Sequence, residues 1–225
     1  MAYSGNNLAL HEEIALLALE DRKGTFQWTL ANPILGASIF AELVLAGRVN
    51  LPEDEKDPLI DVLDDEPLGN PILDDALERI ATASRRARLT HWISRLGNQR
   101  GLQHEVAREL CRRGILREDE ESVLVFFRRK VFPEVNPVPE RHLIQRLEKA
   151  IFSDGPVDDR TAVLLSLANT ANVLRYAVDR DRLKSRKKRL KQITASSEIG
   201  AAAKRIVDAT VAMLITTTTI TTTTT

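Results

Sequence analysis

The chain has 225 residues, of which 43% are hydrophobic and 28% charged, a balance with ample material for one folded core. Its 32 Lys plus Arg are matched by 32 Asp plus Glu, which excludes a general polyanion binder. The single cysteine, Cys111, excludes an internal disulfide and a thiolate zinc cluster, and no run of about 18 apolar residues exists to cross a bilayer.

Residues 1–7 are polar, with no basic region leading into an apolar run. They predict a disordered start, no secretory signal and a protein held in the cytosol. The first helix is expected over Leu8–Glu20, with Leu10, Ile14, Leu17 and Asp21 on one stripe, Asn7 as its cap and Gly24 as its stop. His11-Glu12-Glu13 lacks the second histidine of a helical metalloprotease site, and these residues read as surface positions. A second helix is expected over Pro33–Ala46, ended by Gly47. Arg48–Leu51 and Leu59–Leu63 read as a small β-hairpin. Helices follow over Ile72–Ala83, Arg88–Leu96 and Leu102–Arg113, broken by Gly97 and Gly114.

Ile115–Phe132 is the second β candidate, with Val123–Phe127 as a continuous apolar strand. Prolines 133, 137 and 139 mark an irregular link. The remainder reads as helices over Glu140–Phe152, Asp158–Ala177, Asp179–Ile193 and Ser197–Ile215, the last capped by Ser196 or Ser197. Asp74-Asp75 and Asp158-Asp159 fall at helix starts, where carboxylates favour the dipole. The threonine tract 216–225 has no core-forming pattern and is expected to be a disordered tail. The economical fold is mainly α: one compact helical domain over 8–215 with two small β-hairpins. Its charge is uneven, acidic over 53–78 and basic over 182–191.

Several segments, in order, resemble the Golgi phosphoprotein 3 family. Leu8-Ala-Leu-His-Glu-Glu-Ile-Ala-Leu-Leu-Ala-Leu-Glu-Asp-Arg-Lys-Gly24 is similar to its opening helix, and Ala41-Glu-Leu-Val-Leu-Ala-Gly-Arg-Val-Asn-Leu51 to its next signature. Leu73-Asp-Asp-Ala-Leu77, His91-Trp-Ile93, Arg113-Gly-Ile-Leu116 and Leu165-Ser-Leu-Ala168 through Leu174 complete the series. The resemblance implies a helical core with peripheral amphipathic helices. It also implies phosphatidylinositol 4-phosphate binding at the cytosolic face of the Golgi, retention of membrane enzymes through their cytosolic tails, and no catalysis.

The family's headgroup pocket uses one tryptophan and three arginines. On the matching positions, Trp28 and Arg100 fit, while Gln103 and Gly36 stand where arginines would be. Glutamine offers only neutral donors, and losing two charged hydrogen bonds costs on the order of 3 kcal/mol. The resemblance therefore implies a phosphoinositide reader of reduced affinity or altered specificity. Arg22, Lys23, Arg95, Arg108 and Lys130 are the cations available to compensate. The family's hairpin serves self-association and membrane contact. Here Leu124, Phe126 and Phe127 would form its apolar part and Arg128 and Arg129 its cations, against a core strand with snorkelling cations as the plain alternative.

The short stretch ahead of the first helix, with the two missing arginines, leads us to expect a divergent, bacterial-type member without a coat-recruiting tail. Implied partners are an anionic phosphoinositide surface, cytosolic tails and a second copy of the chain. No cofactor, metal, catalytic residue or nucleic acid is expected. Two alternatives stay open: a protein adaptor that docks basic tails on the acidic 53–78 region, and a winged-helix-like regulator contacting nucleic acid through 182–191.

Overall fold

A computed structural model describes residues 7–20, 24–26, 31–52, 55–124, 127–195 and 204–211. The elements in order are α1 (Leu10–Ala18), β1 (Leu19–Glu20), β2 (Thr25–Phe26), α2 (Ala31–Leu45), β3 (Val49–Asn50), β4 (Asp61–Val62), α3 (Pro71–Ala81), α4 (Leu89–Gly97) and α5 (Leu102–Arg112). They continue with β5 (Asp119–Leu124), β6 (Phe127–Val131), α6 (Val138–Phe152), α7 (Asp159–Thr170), α8 (Leu174–Ala177), α9 (Arg180–Ser185) and α10 (Lys187–Ala195). A further helix, α11, covers 204–211. The fold is mainly α.

Three helices form the centre because they are apolar on nearly every side. Every residue of α1 is buried, as are Ile34–Leu43 of α2 and Thr161–Ala168 of α7. A helix apolar all round has to be enclosed. Helices α3 to α6 instead bury one stripe each, such as Leu89, Trp92, Ile93 and Leu96 in α4. They surround the centre, α4 and α5 against α2 and α1, α6 against α1 and α7. Helix α10 lies on α7, with Ile193 buried.

Both expected hairpins form. Strands β3 and β4 pair antiparallel, Val49 opposite Val62, and β5 and β6 pair from Asp119–Val131 to Leu124–Phe127 with an irregularity at Ser122/Leu124. A third pair, β1 with β2, was not expected; it ends α1 at Ala18, short of Glu20. Gly24 lies in its turn at φ 58°, and a side chain there would sit 2.6 Å from the Phe132 backbone nitrogen, which donates to the Gly24 carbonyl at 2.7 Å. The expected strand Val123–Phe127 is a correction: β5 stops at Leu124 and β6 starts at Phe127, with 125–126 outside the described residues.

Helix ends show where sequence signals work. Asn70 caps α3, its side chain accepting from Ile72 and Leu73 N–H at 3.1 and 3.3 Å, with Pro71 as first residue. Asp158 caps α7 by accepting from Thr161 N–H at 2.9 Å. The expected helix Asp158–Ala177 is split, because Asn172 takes a left-handed φ of 58° between α7 and α8. Asp179–Ile193 is split at Arg186, whose guanidinium bonds the Ile151 and Phe152 carbonyls at 3.1 and 2.7 Å and so closes the open end of α6. The proposed caps Ser196 and Ser197, residues 1–6 and the threonine tract lie outside the described residues.

The tightest helix crossing is α2 on α4. A Cβ on Gly36 would meet the Ile93 carbonyl oxygen and come within 2.7 Å of Gly97 N, and one on Gly97 would meet the Asn32 carbonyl. Gly36→Ala should therefore lower stability by about 1–3 kcal/mol, through overpacking of a backbone contact. A denaturant midpoint equal to that of the parent would contradict this reading.

Candidate functional site

The residues matched to the family's headgroup pocket are placed unequally. Arg100 is exposed in the turn between α4 and α5. Gln103 is half-buried as the second residue of α5. Trp28 lies outside the described residues. Gly36 is a correction: it is buried against the backbone of α4, so it presents no group to a ligand and leaves no room for an arginine. The same crossing sets Asn32, at the entry to α2, against Gly97, three residues before Arg100.

Helix α5 begins unusually. Its N-cap is Gly101, at φ 81°, and no side chain caps it. Its first-turn N–H groups and its dipole thus favour an anion beside Arg100. A hollow of about 360 Å³ opens next to Gln99, between α3 and α5, lined by Arg79, Arg108 and Arg112 among others. Those three arginines are engaged by Asp75, Glu118 and Glu109 respectively. Of the other compensating cations, Arg95 lies 5.3 Å over the Trp92 ring, Lys130 pairs with Glu118, and Arg22 and Lys23 are outside the described residues.

The β5–β6 hairpin differs from the simple picture of a greasy tip with loose cations. Arg129 pairs across the strands with Glu121 at 2.5 Å, beside the Lys130–Glu118 pair. The described base of the hairpin is thus a ladder of paired charges. Leu124 and Phe127 stand opposite each other at its end, Phe126 lies outside the described residues, and Arg128 belongs to β6.

In the basic segment 182–191 the three arginines and Lys184 are engaged, Lys184 with Asp181 at 2.9 Å. Arg182 pairs with Glu148 at 2.7 Å and covers the Phe152 ring at 4.3 Å, Arg186 holds the end of α6, and Arg189 donates to the Gly155 carbonyl at 2.5 Å. These arginines tie α9 and α10 to α6 and to the link that follows it. Lys187, Lys188 and Lys191 are exposed.

The polar cluster that sequence reading missed lies on α1. His11, Glu12 and Glu13, read as surface residues, are buried, His11 and Glu12 completely. Their chemistry follows from α1 having Ala9 rather than a polar residue at its N-cap, so Asn7 does not cap it. The open N–H groups go to carboxylates: Ala9 N–H to Glu12 at 2.7 Å and Leu10 N–H to Glu42 at 2.6 Å. Three arginines from later elements balance the charge. Arg113 reaches Glu12 at 2.6 Å, Arg146 reaches Glu13 at 2.8 Å, and Arg160 reaches Glu42 at 2.5 Å and the Leu8 carbonyl at 2.6 Å. A visible signal existed: His-Glu-Glu interrupts a segment whose flanks, Leu8–Leu10 and Ile14–Leu19, are apolar on every face.

Burial dominates the titration of this cluster. His11 has no hydrogen-bond partner at either ring nitrogen, and burial, then Arg160 and Arg113, push its pKa from 6.5 down to about 3. The stability its neutral ring contributes is complete above pH 6.5 and is lost as pH falls toward 3. Burial pushes Glu12 and Glu13 up from 4.5, so their contribution is complete below that value and lost as pH rises through the raised one.

Two outcomes follow. His11→Leu should fold at pH 7 and gain on the parent as pH falls, by about 2–3 kcal/mol at pH 4.5. Chemical denaturation at several pH values reads this, and a pH-independent difference would contradict it. Arg160→Ala, which strips Glu42 of its cation, should cost about 3 kcal/mol or more. A loss of only a few tenths of a kcal/mol in the same measurement would contradict the pairing.

Among the described residues, no helix is long and apolar enough to cross a membrane. The family model for Golgi phosphoprotein 3 matches residues 10–210. Among curated proteins, vacuolar protein sorting-associated protein 74 of Schizosaccharomyces pombe is 27% identical over 139 residues. That match covers 53% of this chain and 41% of the relative, so the chain spans about two fifths of that relative's length. With the family model matched from α1 into α11, the chain belongs to the Golgi phosphoprotein 3 family.

Proposed function

We propose that the chain is a non-enzymatic peripheral membrane protein that binds phosphoinositide headgroups and serves as an adaptor for the cytosolic tails of membrane proteins. The observation that carries the lipid reading is the exposed Arg100 beside the uncapped start of α5. A headgroup phosphate carries about −1.5 to −2 charges and three acceptor oxygens. Arg100 supplies a charged fork and α5 supplies oriented N–H groups. The segment holding Trp28 enters α2 at Ala31, next to Asn32, the residue set against the end of α4.

The adaptor role is supported by family membership and by the relative, whose name speaks of vacuolar protein sorting. The site is weaker in charge than the family pattern. Gln103 brings neutral donors, and Gly36 brings none. Modest affinity for a phosphatidylinositol 4-phosphate-like headgroup is the consequence. The hairpin of β5 and β6 is the element proposed for membrane or self-contact, through Leu124, Phe126, Phe127 and Arg128. Arg129 is assigned there to the cross-strand pair instead.

Liposome flotation tests the reading. Vesicles carrying phosphatidylinositol 4-phosphate should recover the protein, and neutral vesicles should not. Arg100→Ala should weaken recovery about tenfold or more, and Gln103→Arg should strengthen it by a similar factor. Equal recovery with neutral and anionic vesicles would overturn the lipid reading and leave the protein adaptor.

A further inference from the structure

At the opposite end of α5 from Arg100, a cavity of about 430 Å³ opens beside the buried cluster of α1. Its polar wall holds Arg113, Arg146 and His142, with Glu13 and Asn136. Its apolar wall holds Leu8, Ile115, Val138 and Leu143. This size suits a side chain or a small organic molecule.

The ordering of charge across the wall decides what fits. The side chains of Glu12 and Glu13 are 0% and 5% exposed, while those of Arg113 and Arg146 are 16% and 35% exposed. The arginine side chains therefore stand more open than the carboxylates they neutralise. Arg146 spends one terminal nitrogen on Glu13, and its Nε is buried with no hydrogen-bond partner. Glu13 Oε2 is likewise unpartnered by any hydrogen bond, 3.8 Å from Arg160. Hydrogen-bonding capacity at the buried atoms of this pair is unspent. His142 and Arg146 are four residues apart on α6, on the same face. Burial also pushes the Glu13 carboxyl up, which tilts the local balance toward the cations.

We infer that this cavity binds a carboxylate carrying a short apolar group. The carboxylate lies on Arg146 and His142, and the apolar group lies on Leu8, Ile115 and Leu143. A single negative charge suits the site better than a phosphate dianion, because the Glu13 carboxyl lies 2.8 Å from Arg146 and opposes a second negative charge there. The same chemistry occurs at the C-terminus of a peptide ending in an apolar residue and in a free organic acid. The inference is independent of the lipid reading, because Arg100 lies at the other end of α5.

The test is a titration of the isotope-labelled full chain, read by amide chemical shifts, with N-acetyl-leucine and its carboxamide. The acid should give saturable shifts around Ile115, Val138 and Leu143, and the carboxamide should bind about tenfold more weakly or worse. Val138 is 42% exposed at the first position of α6, where aspartate is well tolerated. Val138→Asp should therefore fold and reject the acid. His142→Gln, at an exposed position, should weaken it. Tighter binding of acetyl-Ala-Ala-Leu than of acetyl-leucine assigns the site to a chain terminus, and equal binding assigns it to a free acid; both sustain the proposal. No saturable shift, equal binding of acid and carboxamide, or binding unchanged in Val138→Asp overturns it. Arg100→Ala should leave this titration unchanged while weakening vesicle recovery about tenfold or more, so the two ideas fail separately.

Discussion

The structure depends on carboxylates buried near the start of its central helix. Helix α1 is enclosed on all sides and begins without a side-chain cap. Its open N–H groups need acceptors, and Glu12 and Glu42 supply them. Carboxylates in an apolar interior need cations in turn, and these arrive from far along the chain: Arg113 after α5, Arg146 in α6 and Arg160 in α7. Leaving such a charge unpaired in the interior would cost several kcal/mol, so the pairs fix which helices surround α1. Apolar burial supplies the driving force, and the ion pairs restrict the arrangement.

This constraint positions both candidate binding regions. With α5 held at its C-terminal end by the Arg113–Glu12 pair, its N-terminal end reaches the corner where α4 finishes and α2 begins. The close contact of Gly36 and Gly97 sets the depth of that corner. The cost is chemical: a position that packs backbone against backbone cannot hold an arginine. The proposed headgroup corner therefore rests on Arg100, Gln103 and the α5 N-terminus, a sparser set of donors than three arginines.

Much of the fold was legible because α3 to α6 are one-sided, and α4 and α5 end at recognisable signals, Gly97 and Gly114. The centre was harder to read. In α1, α2 and α7 apolar residues occur on every face, so periodicity carries no direction, and polar residues there look like surface positions. His11, Glu12 and Glu13 were misread for that reason. Their partners lie about a hundred or more residues away, a separation no local pattern encodes. The breaks at Asn172 and Arg186 were also invisible, since one needs a left-handed backbone and the other a distant set of carbonyls. Of the candidate site, the positions of Arg100 and Gln103 near the start of α5 followed from the helix expected over Leu102–Arg113. The packing role of Gly36 did not, because it depends on α4.

The most direct measurement is a titration of the full chain with soluble inositol 1,4-bisphosphate, followed by backbone amide shifts. The account predicts saturable shifts confined to 98–104 and the entry of α2. Shifts confined to Lys187, Lys188 and Lys191 on α10, or none that saturate, would contradict it.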